Sequence, residues 1–81
     1  MFIRLTELVE HVTTDGEIIC SKYRVMVPLS CIKYVTELHR DKGLQRLYDA
    51  GARTGIVWHD GTEARTIRIV EPISDFAKAL E

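Results

Sequence analysis

Cysteine, proline and tryptophan are scarce in this chain, with two, two and one residues respectively. Cys20 and Cys31 lack the close spacing of a redox or zinc pair, and a small secreted domain stapled by disulfides carries four or more cysteines. Both therefore read as small buried hydrophobes in a reducing environment. An excess of charge is missing as well: 11 Lys and Arg stand against 12 Asp and Glu, a formal net charge of −1. A dedicated nucleic-acid binder shows a clear basic excess. Long apolar runs are absent, since Arg4, Glu7 and Glu10 interrupt the first segment and exclude a signal peptide there. No stretch approaches the ~20 apolar residues of a membrane-spanning helix. The expectation is a soluble, cytoplasmic protein.

Further absences bear on chemistry. Neither GxxxxGK[ST] nor GxGxxG occurs, so no phosphate-cradling loop is signalled. The soft metal ligands are His11, His39, His59, Cys20 and Cys31, and no two of them lie at the short paired spacing of a structural zinc site. No metal and no cofactor is expected. Cys31 near Lys33, and His59 beside Asp60, are the only hints of a nucleophile or an acid–base pair. His59 and Asp60 fall at a hairpin tip, where solvated polar residues are the rule.

What is present is ordinary globular composition, 46% hydrophobic and 28% charged over 81 residues. That suffices for a single domain, residues 1–81, with one core. A domain of this size buries only about 60% of its surface, so its stability is marginal. Metals, disulfides or a partner subunit often supplement such folds.

Period-2 alternation dominates the sequence. Ile3 and Leu5 alternate with Arg4 and Thr6. Asp15-Gly16 marks a turn. Tyr23, Val25 and Val27 then share one face, and Lys22, Arg24 and Met26 the other, until Pro28 ends the ladder. "PLSC" reads as a single turn. Residues 29–38 fit either a strand or an amphipathic helix. The β-branched residues favour a strand with Ile32, Tyr34, Thr36 and Leu38 on one face. The period then changes. Leu44, Leu47 and Tyr48 predict a helix over about Lys42 to Ala50, started by Asp41 and ended by Gly51. Ile56 and Trp58 alternate with Val57 and His59. Asp60-Gly61 predicts a type I′ hairpin, and Arg65, Ile67 and Ile69 follow in alternation. Pro72 opens a last helix with Ile73, Phe76, Ala77 and Leu80 as its apolar stripe. The expected fold is α+β: a small, mostly antiparallel sheet of about five strands, with a mid-chain helix and a C-terminal helix packed on it.

"MFIRLTEL", "VMVPLSCIKYV" and "DGTEARTIRIVEPISDFAKAL" resemble a loose group of small bacterial and phage proteins that includes the FlbD-type flagellar motility proteins. Phe2, Leu5, Thr6, Val27, Ile32, Asp60, Gly61, Ile67, Ile69 and Glu71 carry the resemblance, which spans about two thirds of the chain. Pro28 stands where the group prefers Asn, and residues 39–54 look like an insertion. The resemblance implies a small accessory domain without catalytic residues.

The reading that follows is a non-enzymatic protein-interaction module that binds another protein. It is a candidate phage- or mobile-element protein acting on a host factor, and a candidate homodimer through an edge strand or a helix. The alternative is a nucleic-acid-binding regulatory module using Arg40, Lys42, Arg46, Arg53, Arg65 and Arg68, provided these share one face. An enzyme built on Cys31 or His59 ranks third.

Overall fold

Alternation over the first 28 residues becomes a long hairpin. Strand β1, Phe2–Val12, and strand β2, Ile18–Pro28, pair antiparallel from Phe2↔Pro28 to Val12↔Ile18 without a break. Residues opposite one another share a face. Ile3, Leu5, Val25 and Val27 therefore lie on one side, and Phe2, Arg4, Arg24 and Met26 on the other. Strands of 11 residues span about 37 Å. The hairpin thus sets the long axis of a molecule measuring 43 × 26 × 19 Å. The computed structural model describes residues 1–41 and 43–75.

After Pro28 a single 3₁₀ turn, Leu29–Cys31, leads into β3, Ile32–Glu37. A helix α1, Gln45–Ala50, then precedes β4, Thr54–His59, and β5, Ala64–Ile69. The five strands form one antiparallel sheet in the order β2-β1-β5-β4-β3. The protein is small and mostly β, with only short helices. The turn reading of "PLSC" and the strand reading after it both hold.

The sheet cannot be flat. Its edges are β2 and β3, four inter-strand steps apart, which is about 19 Å at 4.8 Å per step. Yet only Leu29–Cys31 joins them, and the four Cα steps from Pro28 to Ile32 reach at most about 14 Å even when extended. The sheet must roll until β2 and β3 face each other across an enclosed core. Leu5, Val27, Ile56 and Ile69 form that core, each 0–3% exposed. Ile3, Val25, Ile32, Val35, Trp58 and Ile67 pack around it.

A second cluster sits on the opposite face of β1. Leu8 there meets Leu47 of α1 and Ala52, with Cys20, Leu38, Leu44, Ala50 and Val70 around them. Leu5 and Leu8 differ by an odd number, so they point to opposite sides of one strand. Consequently β1 is covered on both faces near its middle. Helix α1 contributes Leu47 as its buried anchor.

Three sequence expectations are corrected. Tyr34 does not share a face with Ile32: the register shifts between them, so Ile32 pairs with Trp58 but Val35 pairs with Ile56. Lys33 is the extra residue of a β-bulge, which turns Val35 inward and leaves Tyr34 60% exposed. Second, the β4–β5 connection is not type I′. That turn requires positive φ at both central residues, but Gly61 (φ 102°) is positive and no non-glycine is. Third, the helix begins at Gln45 rather than Lys42. Asp41 Oδ1 accepts from the Gly43 and Leu44 amides, organising the turn before the helix instead of capping it. Gly51 (φ 122°) ends α1 as expected. Residues 73–75 are helical, while Phe76, Ala77 and Leu80 of the expected terminal stripe lie outside the described residues.

One long-range clamp fixes β1 to the end of β5. Beyond Glu7↔Ile69, Val70 N donates to Thr6 O at 3.0 Å. Glu71 then takes over the role of a strand neighbour. Its carboxylate accepts from Thr6 N (2.9 Å) and Thr6 Oγ1 (3.0 Å). Fully buried Thr54 holds the Glu71 carbonyl through Oγ1 at 2.6 Å.

Ile56→Ala should lower stability by about 2–5 kcal/mol, read from the urea midpoint, because the side chain is fully enclosed. Near-wild-type unfolding would show that the core is not where the sheet roll places it. Glu71→Ala should cost about 1–3 kcal/mol by leaving the half-buried Thr6 amide unpaired. Glu71→Gln, which keeps one acceptor, should cost less.

Candidate interaction surface

The hairpin register brings together residues that the sequence separates. On the outer face of its basal half, Phe2 lies opposite Pro28, Arg4 opposite Met26, and Thr6 opposite Arg24. Arg4 and Arg24 are thus diagonal neighbours. A groove of ≈ 420 Å³ runs between them, lined also by Thr6, Met26 and Glu71. Met26 in its lining is 59% exposed, and Phe2, on the same face beyond Arg4, is 60% exposed. The distal half of the same face is covered by α1 through Leu8 and Cys20, and among the described residues no helix covers the half that holds the groove.

Its lining is basic on balance, with Arg4 and Arg24 against the single carboxylate of Glu71. Among the described residues, no carboxylate lies within ion-pair distance of Arg4 or Arg24. Glu71 is close, but its carboxylate is taken up by Thr6. Two guanidiniums on one face with a Phe and a Met combine hydrogen-bond donors for an acid with apolar surface. Sequence reading had Lys22, Arg24 and Met26 on one face but could not place Arg4 and Phe2 there. Only the register, set at the Asp15-Gly16 turn, does that.

The basic set expected for nucleic acid is scattered instead. Arg40 binds Asp49 through Nε at 2.9 Å and Nη2 at 3.3 Å. This hydrogen-bonded pair holds the Asp49 carboxyl below its usual value and raises the Arg40 guanidinium above its own. Arg53 stacks on the Tyr48 ring at 4.1 Å and donates to the Tyr48 and Ala52 carbonyls. Arg65 is bound to Asp60 at 2.6 Å. Arg65 lies opposite Trp58, on the core side of β5, whereas Arg68 lies opposite Gly55 on the other side. Arg46 is on α1, next to Cys20. Lys42 lies outside the described residues. Of this set, the described members do not share one face.

The hairpin tip is organised by Asp60. Its Oδ1 accepts from the Thr62 and Glu63 amides and from Thr62 Oγ1, and Oδ2 accepts from Arg65 Nε. The amide bonds from Glu63 and Thr62 are the main reason its carboxyl is held well below the usual range, with the Thr62 hydroxyl and Arg65 adding to them. His59 Nδ1 accepts from Gly61 N at 3.1 Å. Both residues are thus engaged in building the turn, and the Asp60 carboxylate bonds to Thr62, Glu63 and Arg65 rather than to the His59 ring. Cys31 ends the 3₁₀ turn, half-buried and free. Trp58 Nε1 is the one buried side-chain polar atom without a partner among the described residues. It belongs to a smaller opening of ≈ 380 Å³ shared with Glu7 and Arg65.

Among the described residues no three His, Cys, Asp or Glu side chains converge as metal ligands, and no helix is long and apolar enough to cross a membrane. Comparison with known proteins gives no matching family model, curated protein or solved structure.

The Asp60 carboxyl should make the fold acid-sensitive. Its pKa is depressed on folding, so its contribution is complete well above the unfolded value of 3.8 and disappears as pH falls through that value towards the lower folded one. The wild-type urea midpoint should therefore drop between pH about 5 and about 2. Asp60→Asn should be weaker at neutral pH and lose less over that window. Parallel acid limbs for the two proteins would remove Asp60 from this role.

Proposed function

We propose that this protein is a non-enzymatic accessory module that binds another protein in the cytoplasm through the groove on its β1–β2 hairpin. The observation that carries this reading is the juxtaposition of Arg4 and Arg24 with exposed Phe2 and Met26 along a face that no other described element covers. The complementary partner is a segment combining acidic and apolar residues. Charge would steer its approach, while burial of Phe2 and Met26 would hold it. The resemblance to FlbD-type proteins points the same way, towards a small domain that works by contact. Action on a host factor, from a phage or mobile element, suits its size.

The nucleic-acid reading loses its main support, since Arg40, Arg53 and Arg65 are engaged within the chain and Arg65 and Arg68 face opposite ways. An enzyme at His59 is weakened by the structural bond His59 accepts.

Affinity capture from native lysate, with and without nuclease, tests this reading with the wild-type chain beside Arg4→Glu/Met26→Ala. A protein retained by the wild type despite nuclease, and lost from a folded double variant, is the expected result. Retention by both proteins would move the contact off the groove. Recovery of nucleic acid, lost with rising salt, would replace the reading with nucleic-acid binding.

A further inference from the structure

Hydrogen-bonded and non-hydrogen-bonded pairs alternate along an antiparallel ladder, and two observations fix the phase of this one. Thr13 N donates to Glu17 O at 2.7 Å, closing the ladder at the loop. Thr6 turns its amide to Glu71 and its carbonyl to Val70, away from β2. Thr6 pairs with Arg24, and Val12, in the same phase, with Ile18. The even-numbered residues of β2 therefore direct their backbone groups outward. Pro28 falls in that phase, so its missing N–H costs the β1–β2 ladder nothing. Among the described residues no strand pairs with this outer edge. Ile18 (40%), Ile19 (46%) and Tyr23 (45%) are exposed along it. A long apolar edge of this kind is a template for another strand.

Charge along the edge limits the registers open to a second copy. In a two-fold antiparallel pairing, outward residues must meet outward residues, so the axis passes through one residue of β2. An axis at Lys22, Tyr23 or Arg24 sets Lys22 or Arg24 directly against Lys22 or Arg24 of the second copy, which is repulsive. An axis at Val25 sets Pro28, which has no amide to donate, opposite Lys22. It also uses the end of β2 where Val27 is already enclosed. An axis at Ser21 avoids both faults. Ile19 then meets Tyr23 of the second copy, Ile18 meets Arg24, and Cys20 meets Lys22. In the Cys20 row, Glu10 lies opposite Cys20 on its other side. Glu10 and Lys22 of the second copy thus face each other across small Cys20, about 10 Å apart at Cα and within joint reach of two long side chains. We infer that the protein self-associates as a two-fold dimer by antiparallel pairing of β2 edges centred on Ser21, joining two five-stranded sheets into one. Of the groove residues only Arg24 falls within the paired segment, residues 18–24, where the new contact runs along the strand edge; Arg4, Phe2 and Met26 lie outside it, so the groove stays open on the sheet face.

Sedimentation of the full chain, with Lys22→Pro alongside, tests the dimer. The Lys22 amide points outward, so proline removes a bond of the dimer and none of the β1–β2 ladder. The wild type should run as a dimer and Lys22→Pro as a monomer with wild-type circular dichroism. Cross-linking fixes the register even if that variant misfolds. Two residues facing each other in a non-hydrogen-bonded pair have Cα atoms about 4.5 Å apart, within disulfide range. In a Cys20→Ser/Cys31→Ser background, Ser21→Cys should give a covalent dimer on mild oxidation, and Tyr23→Cys should not. A monomeric wild type, or cross-linking through Tyr23→Cys in place of Ser21→Cys, overturns the inference. Neither result touches the groove reading, because Arg4→Glu/Met26→Ala should lose its captured protein whether or not the chain dimerises.

Discussion

The short link between the two sheet edges governs this structure. Three residues, Leu29–Cys31, must carry the chain from β2 to β3, and these strands lie at opposite ends of the strand order. That constraint forces the roll, and the roll creates the inside. Without it, Val25 and Val27 would line one margin of an open sheet and Ile32 and Val35 the other. With it, all four converge on Ile56 and Ile69. Pro28 serves the same geometry, since its ring fixes φ near −65° at the corner and its missing donor faces away from β1.

The roll also explains why both faces of β1 are occupied. A closed inner face leaves the outside of the strands to be covered separately, and α1 covers only the distal part of the hairpin, around Leu8. Among the described residues no element covers the basal part, and Phe2, Arg4, Arg24 and Met26 are exposed on it. The candidate groove is therefore a consequence of helix length: α1 has six residues, about 9 Å, against a hairpin several times longer.

Much of this was legible because strand alternation is local. The faces of β1, β2, β4 and β5 follow directly from side chains such as Leu5, Val25, Ile56 and Ile67. The bulge at Lys33 was not legible. Nothing in "IKYVTEL" distinguishes a regular strand from one with an extra residue, and one extra residue reverses the face of everything after it. The Asp60-Gly61 turn shows a second limit. The pair marked the hairpin, but the Asp60 carboxylate binds the Thr62 and Glu63 amides and stabilises a longer loop over the two-residue alternative. The groove depends on register and the scattering of the basic residues on strand order, and both are non-local. Spacing along the chain carried no information about either.

The pairing of the first strand with the last has a consequence for how the chain is made. During synthesis the β1–β2 hairpin emerges first, and its loop closure is local and fast. It cannot hide Leu5 or Val27, however, because Ile56 and Ile69, which cover them, are not yet available. The Thr6–Glu71 clamp spans 65 residues, so the fold closes only after Glu71 has left the ribosome. Until then the nascent hairpin offers an apolar face and an unpaired edge together, the state in which non-local β topologies are most open to mispairing. The charges on β2, Lys22 and Arg24, stand at the middle of that edge, where they disfavour full-length pairing of two nascent hairpins.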